Sequence, residues 1–221
     1  MSGFSTARQK MVDGQVRPSD VTDSRIIDAM LEVPREAFVP ADKQQLAYLD
    51  IDIDVGAAGG PKRYLIKPAV TAKLLQAAEI TAGDKALVVG AATGYVAALA
   101  AKLAAEVTAT ESDASLAAKA GSVLASLGCG KVEVKTAAVA EGAPAGAPFD
   151  VIFLNGATEI VPKGLYQQLS EGGRLVGIFA TSQPARATIV TRSRGDFGYR
   201  TLFDAAAPVL PGLERVPAFV F

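Results

Sequence analysis

The sequence contains no histidine among its 221 residues. This absence excludes a Ser-His-Asp or Cys-His nucleophile within the chain, and it also excludes any metal site that depends on an imidazole ligand. Catalytic chemistry would therefore rely on carboxylates, hydroxyls, lysine, backbone dipoles or a bound cofactor.

Cysteine is nearly absent as well, because Cys129 is the only one. A single thiol cannot form a disulfide within the chain, and a reducing cytoplasm is the compartment that fits best. Cys129 lies between Gly128 and Gly130. We predict that it is structural, since no base is evident to activate it.

Long apolar runs and an excess of either charge are also missing. No stretch approaches the roughly 20 apolar residues of a membrane-spanning helix, and the first ten residues lack the apolar core of a signal peptide, so we expect no membrane association. The 22 basic and 23 acidic residues nearly cancel, which argues against a nucleic-acid partner. Asp50, Asp52 and Asp54 do not complete a calcium-binding pattern, and we predict no metal.

The hydrophobic pattern indicates an α/β fold. Residues 4–47 are expected to form short helices, with Thr22 as a cap, and residues 50–64 a loop. Pro68 is well placed to begin a helix. From residue 86 to 180, apolar strands alternate with helical segments, as in a Rossmann-like, mostly parallel sheet with helices on both faces. We predict one domain over 1–221, with an N-terminal helical and substrate-loop region (1–80) and a Rossmann-like core (81–221).

The segment after the first sheet strand indicates an adenosine-type cofactor. Gly90 permits a tight turn, Ala91 and Ala92 allow close approach to the backbone, and Gly94 opens the next helix. Glu111 follows the second strand about twenty residues later, where a carboxylate can bind both ribose hydroxyls. The alternative is an ordinary strand-to-helix turn with a solvated acid nearby. Residues predicted to contact the cofactor are Val89, Gly90, Ala91, Ala92, Gly94, Tyr95, Glu111, Ser112 and Asn155.

A dinucleotide-binding protein would have glycine at positions 92 and 95, where this chain has Ala92 and Tyr95. It would also need a second mononucleotide-binding half, for which too little sequence remains after residue 154. One such half preceded by a helical segment fits a methyltransferase better.

Several strings then resemble protein-L-isoaspartate O-methyltransferases. They are Met-Val-Asp-Gly-Gln-Val-Arg at 11–17, Ala-Met-Leu-Glu-Val-Pro-Arg-Glu-Ala-Phe-Val-Pro at 29–40, and the segments 47–50, 90–95, 147–150 and 172–176. The resemblance covers most of residues 8–180, and the Val-Pro-Arg-Glu-Ala-Phe-Val-Pro string is its most specific part. It implies S-adenosylmethionine as cofactor and methyl transfer to the α-carboxyl of L-isoaspartyl residues in damaged protein or peptide substrates.

The chain departs from this family at positions of chemical interest. The Thr-Ile-Ser segment of the family corresponds to Tyr64-Leu65-Ile66, so Ile66 stands where a substrate-contacting serine is expected and is predicted not to be catalytic. The Gly-Asp-Gly segment corresponds to 137–139, where Ala138 replaces an aspartate, and the resemblance implies that Ala138 and Val139 contact the cofactor. Val88 replaces the acid of the first strand, and Ala92 replaces a loop glycine.

Three hypotheses follow from the resemblance and the departures. The first is an isoaspartyl carboxyl methyltransferase, whose loop over residues 59–66 closes on an extended substrate. The second is a weakened or inactive relative that binds the cofactor or a partner, and the third is a methyltransferase for another carboxylate or small molecule.

Lys62, Arg63 and Lys67 are either a solvated group or a carboxylate-binding cluster, and Asn155 is either a turn residue or a polar contact. The sequence does not give the oligomeric state.

Overall fold

The computed structural model describes residues 3–56, 60 and 62–216. The α-helices of the described residues are α1 (Gly3–Met11), α2 (Ser24–Glu32), α3 (Pro68–Ala78), α4 (Tyr95–Ala100), α5 (Ala114–Ser126) and α6 (Lys163–Tyr166). Shorter π and 3-10 segments cover Val12–Val16, Arg17–Ser19, Arg35–Phe38, Ala41–Leu46 and Pro144–Gly146. The strands are β1 (Ile53–Asp54), β2 (Tyr64–Leu65), β3 (Lys85–Val89), β4 (Glu106–Glu111), β5 (Val132–Thr136), β6 (Phe149–Thr158), β7 (Leu169–Phe179), β8 (Arg186–Ser193) and β9 (Asp196–Asp204).

Seven strands form one sheet in the order β5-β4-β3-β6-β7-β8-β9. The pairs from β5 to β7 are parallel, whereas β8 and β9 pair antiparallel at one edge. The chain runs outward from β3 to β5 and then returns to β6 on the other side of β3. The strand order therefore reverses between β3 and β6, and in such sheets a ligand crevice lies beyond the carboxyl ends of the strands at this point.

Alternating side chains of the central strands face two apolar clusters, as expected for strands buried on both sides. Val88 faces the larger cluster, which also contains core residues of α2, α3 and α4. Leu87 and Val89 face the smaller cluster, where Leu165 of α6 and Leu210 pack. The prediction of helices on both faces is confirmed, although the second face is covered partly by the segment that holds Leu210.

Local details correct the sequence predictions. Asp23, not Thr22, caps α2, since its side chain accepts a hydrogen bond from the Arg25 amide at 2.9 Å. The predicted loop over 50–64 includes the short β1–β2 pair; its Gly59 and Pro61 lie outside the described residues. The helix expected over 162–169 ends at Tyr166, because the Gln168 carbonyl accepts from the Phe149 amide and draws the chain into the sheet.

Arg35 ties the N-terminal region together and is completely buried. Its Nε donates to the Ala47 carbonyl at 2.8 Å and its Nη2 to the Ile66 carbonyl at 2.9 Å. Its guanidinium carbon lies 4.7 Å from the ring centroid of Tyr95 at the start of α4. The Val-Pro-Arg-Glu string thus positions the segment before α3 against the sheet core.

Replacing Arg35 by methionine should lower the free energy of unfolding by about 2–4 kcal/mol, because two carbonyls lose buried donors. Urea unfolding followed by circular dichroism measures this. Arg17→Met is the matched control, since it removes only an ion pair whose partners are about half exposed, and it should change stability by less than about 1 kcal/mol. Equal losses for both variants would contradict the structural role of Arg35.

Among the described residues, no helix combines the length and apolar character that crossing a bilayer requires. The same part of the chain brings together no group of three or more metal-ligating side chains of the His, Cys, Asp and Glu types.

Candidate cofactor-binding site

The predicted loop and acid lie at the carboxyl ends of β3 and β4, and the predicted amide, Asn155, lies beside them within β6, which continues to Thr158. Asn155 is therefore a strand residue and not a turn residue. The Ala91 amide donates to the Thr110 carbonyl at 2.9 Å, which fixes the loop after β3 against the end of β4. Asn155 Nδ2 donates to the Gly90 carbonyl at 2.9 Å from β6. The structure thus brings Gly90, Glu111 and Asn155 to the switch point of the sheet.

The backbone of the loop after β3 explains its small residues. Gly90 and Gly94 have φ values of 72° and 97°, in the left-handed region that favours glycine. A Cβ on Gly94 would lie 3.1 Å from Leu124 Cδ1 and 3.3 Å from Ala120 Cβ. Gly94 therefore permits close packing of α4 against α5. Ala92 also has a positive φ, 51°, although an alanine adopts this conformation less readily than glycine. Its amide donates a hydrogen bond to Glu111 Oε2.

Glu111 has no solvent exposure, and its carboxylate accepts hydrogen bonds from five donors. Oε1 accepts from Arg63 Nε at 3.0 Å, from the Asp113 amide at 3.1 Å and from Ser112 Oγ at 3.2 Å. Oε2 accepts from Arg63 Nη2 at 2.5 Å and from the Ala92 amide at 2.7 Å. Glu111 is therefore not the solvated acid of the structural alternative.

Burial by itself would raise the pKa of Glu111. The hydrogen bonds and positive charge of Arg63, with the Asp113 and Ala92 amides, outweigh this effect and hold the pKa below its usual value. The carboxylate is therefore ionised at neutral pH and fully compensated by groups of the chain itself.

Arg63 reaches this carboxylate from the residues just before β2, and only 3% of its side chain is exposed. The prediction of a solvated group is wrong for Arg63, although Lys62 is exposed. Lys67 is half-buried and its amide donates to Asp52 Oδ1. The three cations therefore do not act together, and the partner of Arg63 is an internal carboxylate. No sequence signal marked this pairing, because the need for a counter-charge follows only once Glu111 is seen to be buried.

Leu210 covers the open side of the loop. A Cβ built on Gly90 would lie 2.6 Å from Leu210 Cδ2 and 3.0 Å from Arg63 Nη2, and one on Gly156 would lie 2.8 Å from Leu210 Cγ. Backbone hydrogen bonds hold this segment against β6, since the Leu210 amide donates to the Ala157 carbonyl at 2.9 Å. Sequence reasoning missed Leu210, and no local motif marks it.

The other predicted site residues have varied surroundings. Ser112 is exposed except for its contact with Glu111, and Ala138 is exposed, whereas Val139 belongs to the smaller apolar cluster. Ile66 is 2% exposed, and its carbonyl binds Arg35. The remaining predicted residues, Val89, Ala91, Ala92 and Tyr95, are all completely buried.

Thr93 is a further residue that sequence reasoning missed. Its hydroxyl donates to the Phe38 carbonyl at 2.6 Å, and the Phe38 ring lies 5.5 Å from the Tyr95 ring in an edge-to-face contact. The N-terminal Val-Pro-Arg-Glu-Ala-Phe string therefore packs against the loop after β3 through Phe38.

The fold and this site define a Rossmann-like α/β protein with a candidate nucleotide-type site at the strand switch. A family model described as Protein-L-isoaspartate(D-aspartate) O-methyltransferase (PCMT) matches residues 6–199. A protein-L-isoaspartate O-methyltransferase of Koribacter versatilis is 38% identical over 204 residues, covering 92% of this chain and 90% of that protein. Protein-L-isoaspartate O-methyltransferase 1 of Rhodopseudomonas palustris is 36% identical, covering 88% and 78%.

Solved structures share the fold. A protein-L-isoaspartate O-methyltransferase superposes with a TM-score of 0.83 at 24% identity, covering 93% of this chain and 66% of that longer one. A structure titled as a putative protein-L-isoaspartate O-methyltransferase from Plasmodium falciparum, in complex with S-adenosyl-L-homocysteine, gives 0.78 at 17% identity, covering 95% and 99%.

The chain belongs to the protein-L-isoaspartate(D-aspartate) O-methyltransferase family. This membership assigns it S-adenosylmethionine as cofactor and methyl transfer as reaction class, as the sequence resemblance implied.

The lowered pKa of Glu111 predicts an acid-sensitive contribution to stability. The unfolded state, with a carboxyl pKa near 4.5, binds this proton before the folded state does. The contribution is therefore complete above that value and is lost as pH falls toward the folded pKa. The free energy of unfolding should fall less steeply for Glu111→Gln than for the wild type on acidification from about pH 6 to about pH 3, as measured by urea titration.

Glu133→Gln is the control for this experiment, because Glu133 forms an ion pair with its side chain 64% exposed. Its acid dependence should follow that of the wild type. Other carboxyls with lowered pKa values that lie away from Glu111, such as Asp84 and Asp23, contribute equally to all three proteins. Parallel curves for Glu111→Gln and the wild type would refute the compensation described for Glu111.

Proposed function

We propose that this chain transfers a methyl group from S-adenosylmethionine to the α-carboxyl of L-isoaspartyl residues in proteins or peptides. The proposal rests on one observation: the loop after β3, Glu111 and Asn155 lie together where the strand order reverses. The chain also belongs to this methyltransferase family. The single cysteine supports action in the reducing cytoplasm. The single-domain organisation over 1–221 remains a prediction.

The residues at this position fit the cofactor in kind and place. The loop over residues 90–94 would hold its methionine part, Glu111 would accept hydrogen bonds from the ribose hydroxyls, and Asn155 would contribute a polar contact. Asn155 Oδ1 is buried and has no hydrogen-bond partner among the described residues, so it is available as an acceptor. The acceptor atoms of Glu111, in contrast, are taken by Arg63 in the conformation described above.

Methyl transfer to a carboxylate requires few catalytic groups from the protein. The cofactor supplies an electrophilic methyl group, and a carboxylate is already ionised at neutral pH. No general base is required, which agrees with a sequence that lacks histidine. The chain's contribution is to align the reacting atoms and exclude water.

The substrate end of the site differs from the family pattern. The Ile66 side chain is buried and apolar, so it cannot donate the hydrogen bond that a serine hydroxyl would give to a substrate carboxylate. We therefore assign Ile66 no catalytic role, and substrate positioning falls to other groups of the segment before α3. This replacement predicts a lower rate and not a change of reaction type, since the hydroxyl would orient the substrate and not react with it.

The proposal is tested by measuring transfer of labelled methyl from S-adenosylmethionine to an isoaspartyl peptide, with the same peptide containing normal aspartate as control. Base-labile label should appear only in the isoaspartyl peptide. Cofactor binding without transfer would overturn the isoaspartyl assignment.

The role of Glu111 has its own prediction. Glu111→Ala should weaken S-adenosylhomocysteine binding by about tenfold or more, because hydrogen bonds to a charged group contribute about 1.5–3 kcal/mol. Isothermal titration calorimetry measures the affinity, and Glu133→Ala, an exposed substitution on β5, should leave it unchanged. An unchanged affinity in Glu111→Ala would show that the ribose is bound elsewhere.

A further inference from the structure

The structure points to Arg63 as an intramolecular competitor of the cofactor. We infer that the described conformation is a closed form, in which the Arg63 guanidinium occupies the carboxylate meant for the ribose, and that a cofactor binds only after this guanidinium leaves Glu111. The inference rests on the proposed role of Glu111 and adds a residue that determines cofactor affinity.

The first support is the number of acceptor positions on Glu111. A carboxylate offers about four lone-pair positions. Arg63 donates to both oxygens, and the Ala92 amide, the Asp113 amide and Ser112 Oγ bring the donors to five, more than these positions. Two ribose hydroxyls therefore find no acceptor on this carboxylate while Arg63 remains in place.

The second support is steric. An atom placed at the Cβ position of Gly90 would lie 3.0 Å from Arg63 Nη2 and 2.6 Å from Leu210 Cδ2. Ligand atoms cannot approach the Gly90 backbone from this side at van der Waals distance unless these side chains move. Arg63 and Leu210 thus fill the part of the crevice in which the fold is expected to bind a ligand.

The third support is that freeing the Glu111 carboxylate requires movement of the Arg63 side chain only. The main chain of Arg63 is anchored by a hydrogen bond of 2.7 Å from the Val55 amide to its carbonyl. When the guanidinium leaves, Glu111 keeps its bonds to Ala92, Asp113 and Ser112, which hold the carboxylate in orientation. The two ribose hydroxyls then replace the two guanidinium N–H donors, so the buried acceptors stay satisfied.

The closed form lowers the measured affinity for the cofactor, because cofactor binding must compete with the charge-assisted bidentate pair of Arg63 and Glu111. The apparent dissociation constant equals the intrinsic value divided by the fraction of open molecules. Removal of the Arg63 side chain should therefore strengthen cofactor binding, which is the opposite of what a direct cofactor ligand would show.

The test is calorimetric titration of S-adenosylhomocysteine into the wild type, Arg63→Ala and Arg63→Lys. Arg63→Ala should bind about tenfold tighter or more, equivalent to at least about 1.4 kcal/mol. Arg63→Lys should fall between the two, because lysine keeps the charge but not the bidentate geometry.

Arg174→Ala is the matched control for loss of a buried arginine. Arg174 forms a largely buried ion pair of 2.7 Å with Asp84, just before β3 and thus at the opposite end of the strands from Glu111. This variant loses stability without altering the candidate site, so its affinity should equal that of the wild type. Thermal unfolding by circular dichroism establishes that each variant is folded.

A second measurement uses the wild type alone. The Arg63 Nε–H resonance, assigned by its absence in Arg63→Lys, should shift on addition of S-adenosylhomocysteine, since it loses its bond to Glu111. An unshifted resonance at saturation would overturn the inference, even if Arg63→Ala does not fold.

The outcomes separate this inference from the proposed function. If the wild type binds and methylates the isoaspartyl peptide but Arg63→Ala binds equally or more weakly, the competitor role is overturned and the function stands. If Arg63→Ala binds more tightly but neither protein methylates the peptide, the competitor role stands and the substrate assignment fails. Absence of binding by both proteins at millimolar ligand overturns the competitor role and removes the cofactor site with it.

Discussion

The buried carboxylate of Glu111 is the constraint on which the candidate site depends. An ionised group with no exposure is stable only with partners that replace its hydration, and Arg63 with two backbone amides provides them. This requirement fixes the turn at Ala92, the start of α5 and the approach of the segment before β2. The same requirement leaves one group, the guanidinium, that a ligand with suitable donors could replace.

The family's most specific string has a structural role in this chain. Arg35 binds the carbonyls of Ala47 and Ile66, and the Phe38 carbonyl accepts from Thr93. These contacts link the N-terminal helices to the loop after β3 and to the segment before α3. The string that resembles the family is therefore also a structural connection between these segments.

The departures from the family pattern fall into two groups. Val88, Ala92 and Val139 are buried and pack in the core, and of these Val88 replaces an acid of the family pattern by apolar contacts. Ala138 is exposed, and Ile66 is buried with its carbonyl bound to Arg35. Buried polar side chains near the switch point include Glu111, Asn155 and Arg63.

The sequence by itself determined the α/β class, the parallel core, the helix start at Pro68 and the candidate loop with Glu111, because hydrophobic period and short spacings are local properties of the chain. The convergence of Gly90 and Asn155 followed from the rule that parallel strands end at one edge. Only the tertiary structure decided that Arg63 is the partner of Glu111 and that Leu210 covers Gly90. These contacts join segments far apart in sequence, and no local pattern encodes which distant side chain compensates a buried charge or fills a crevice.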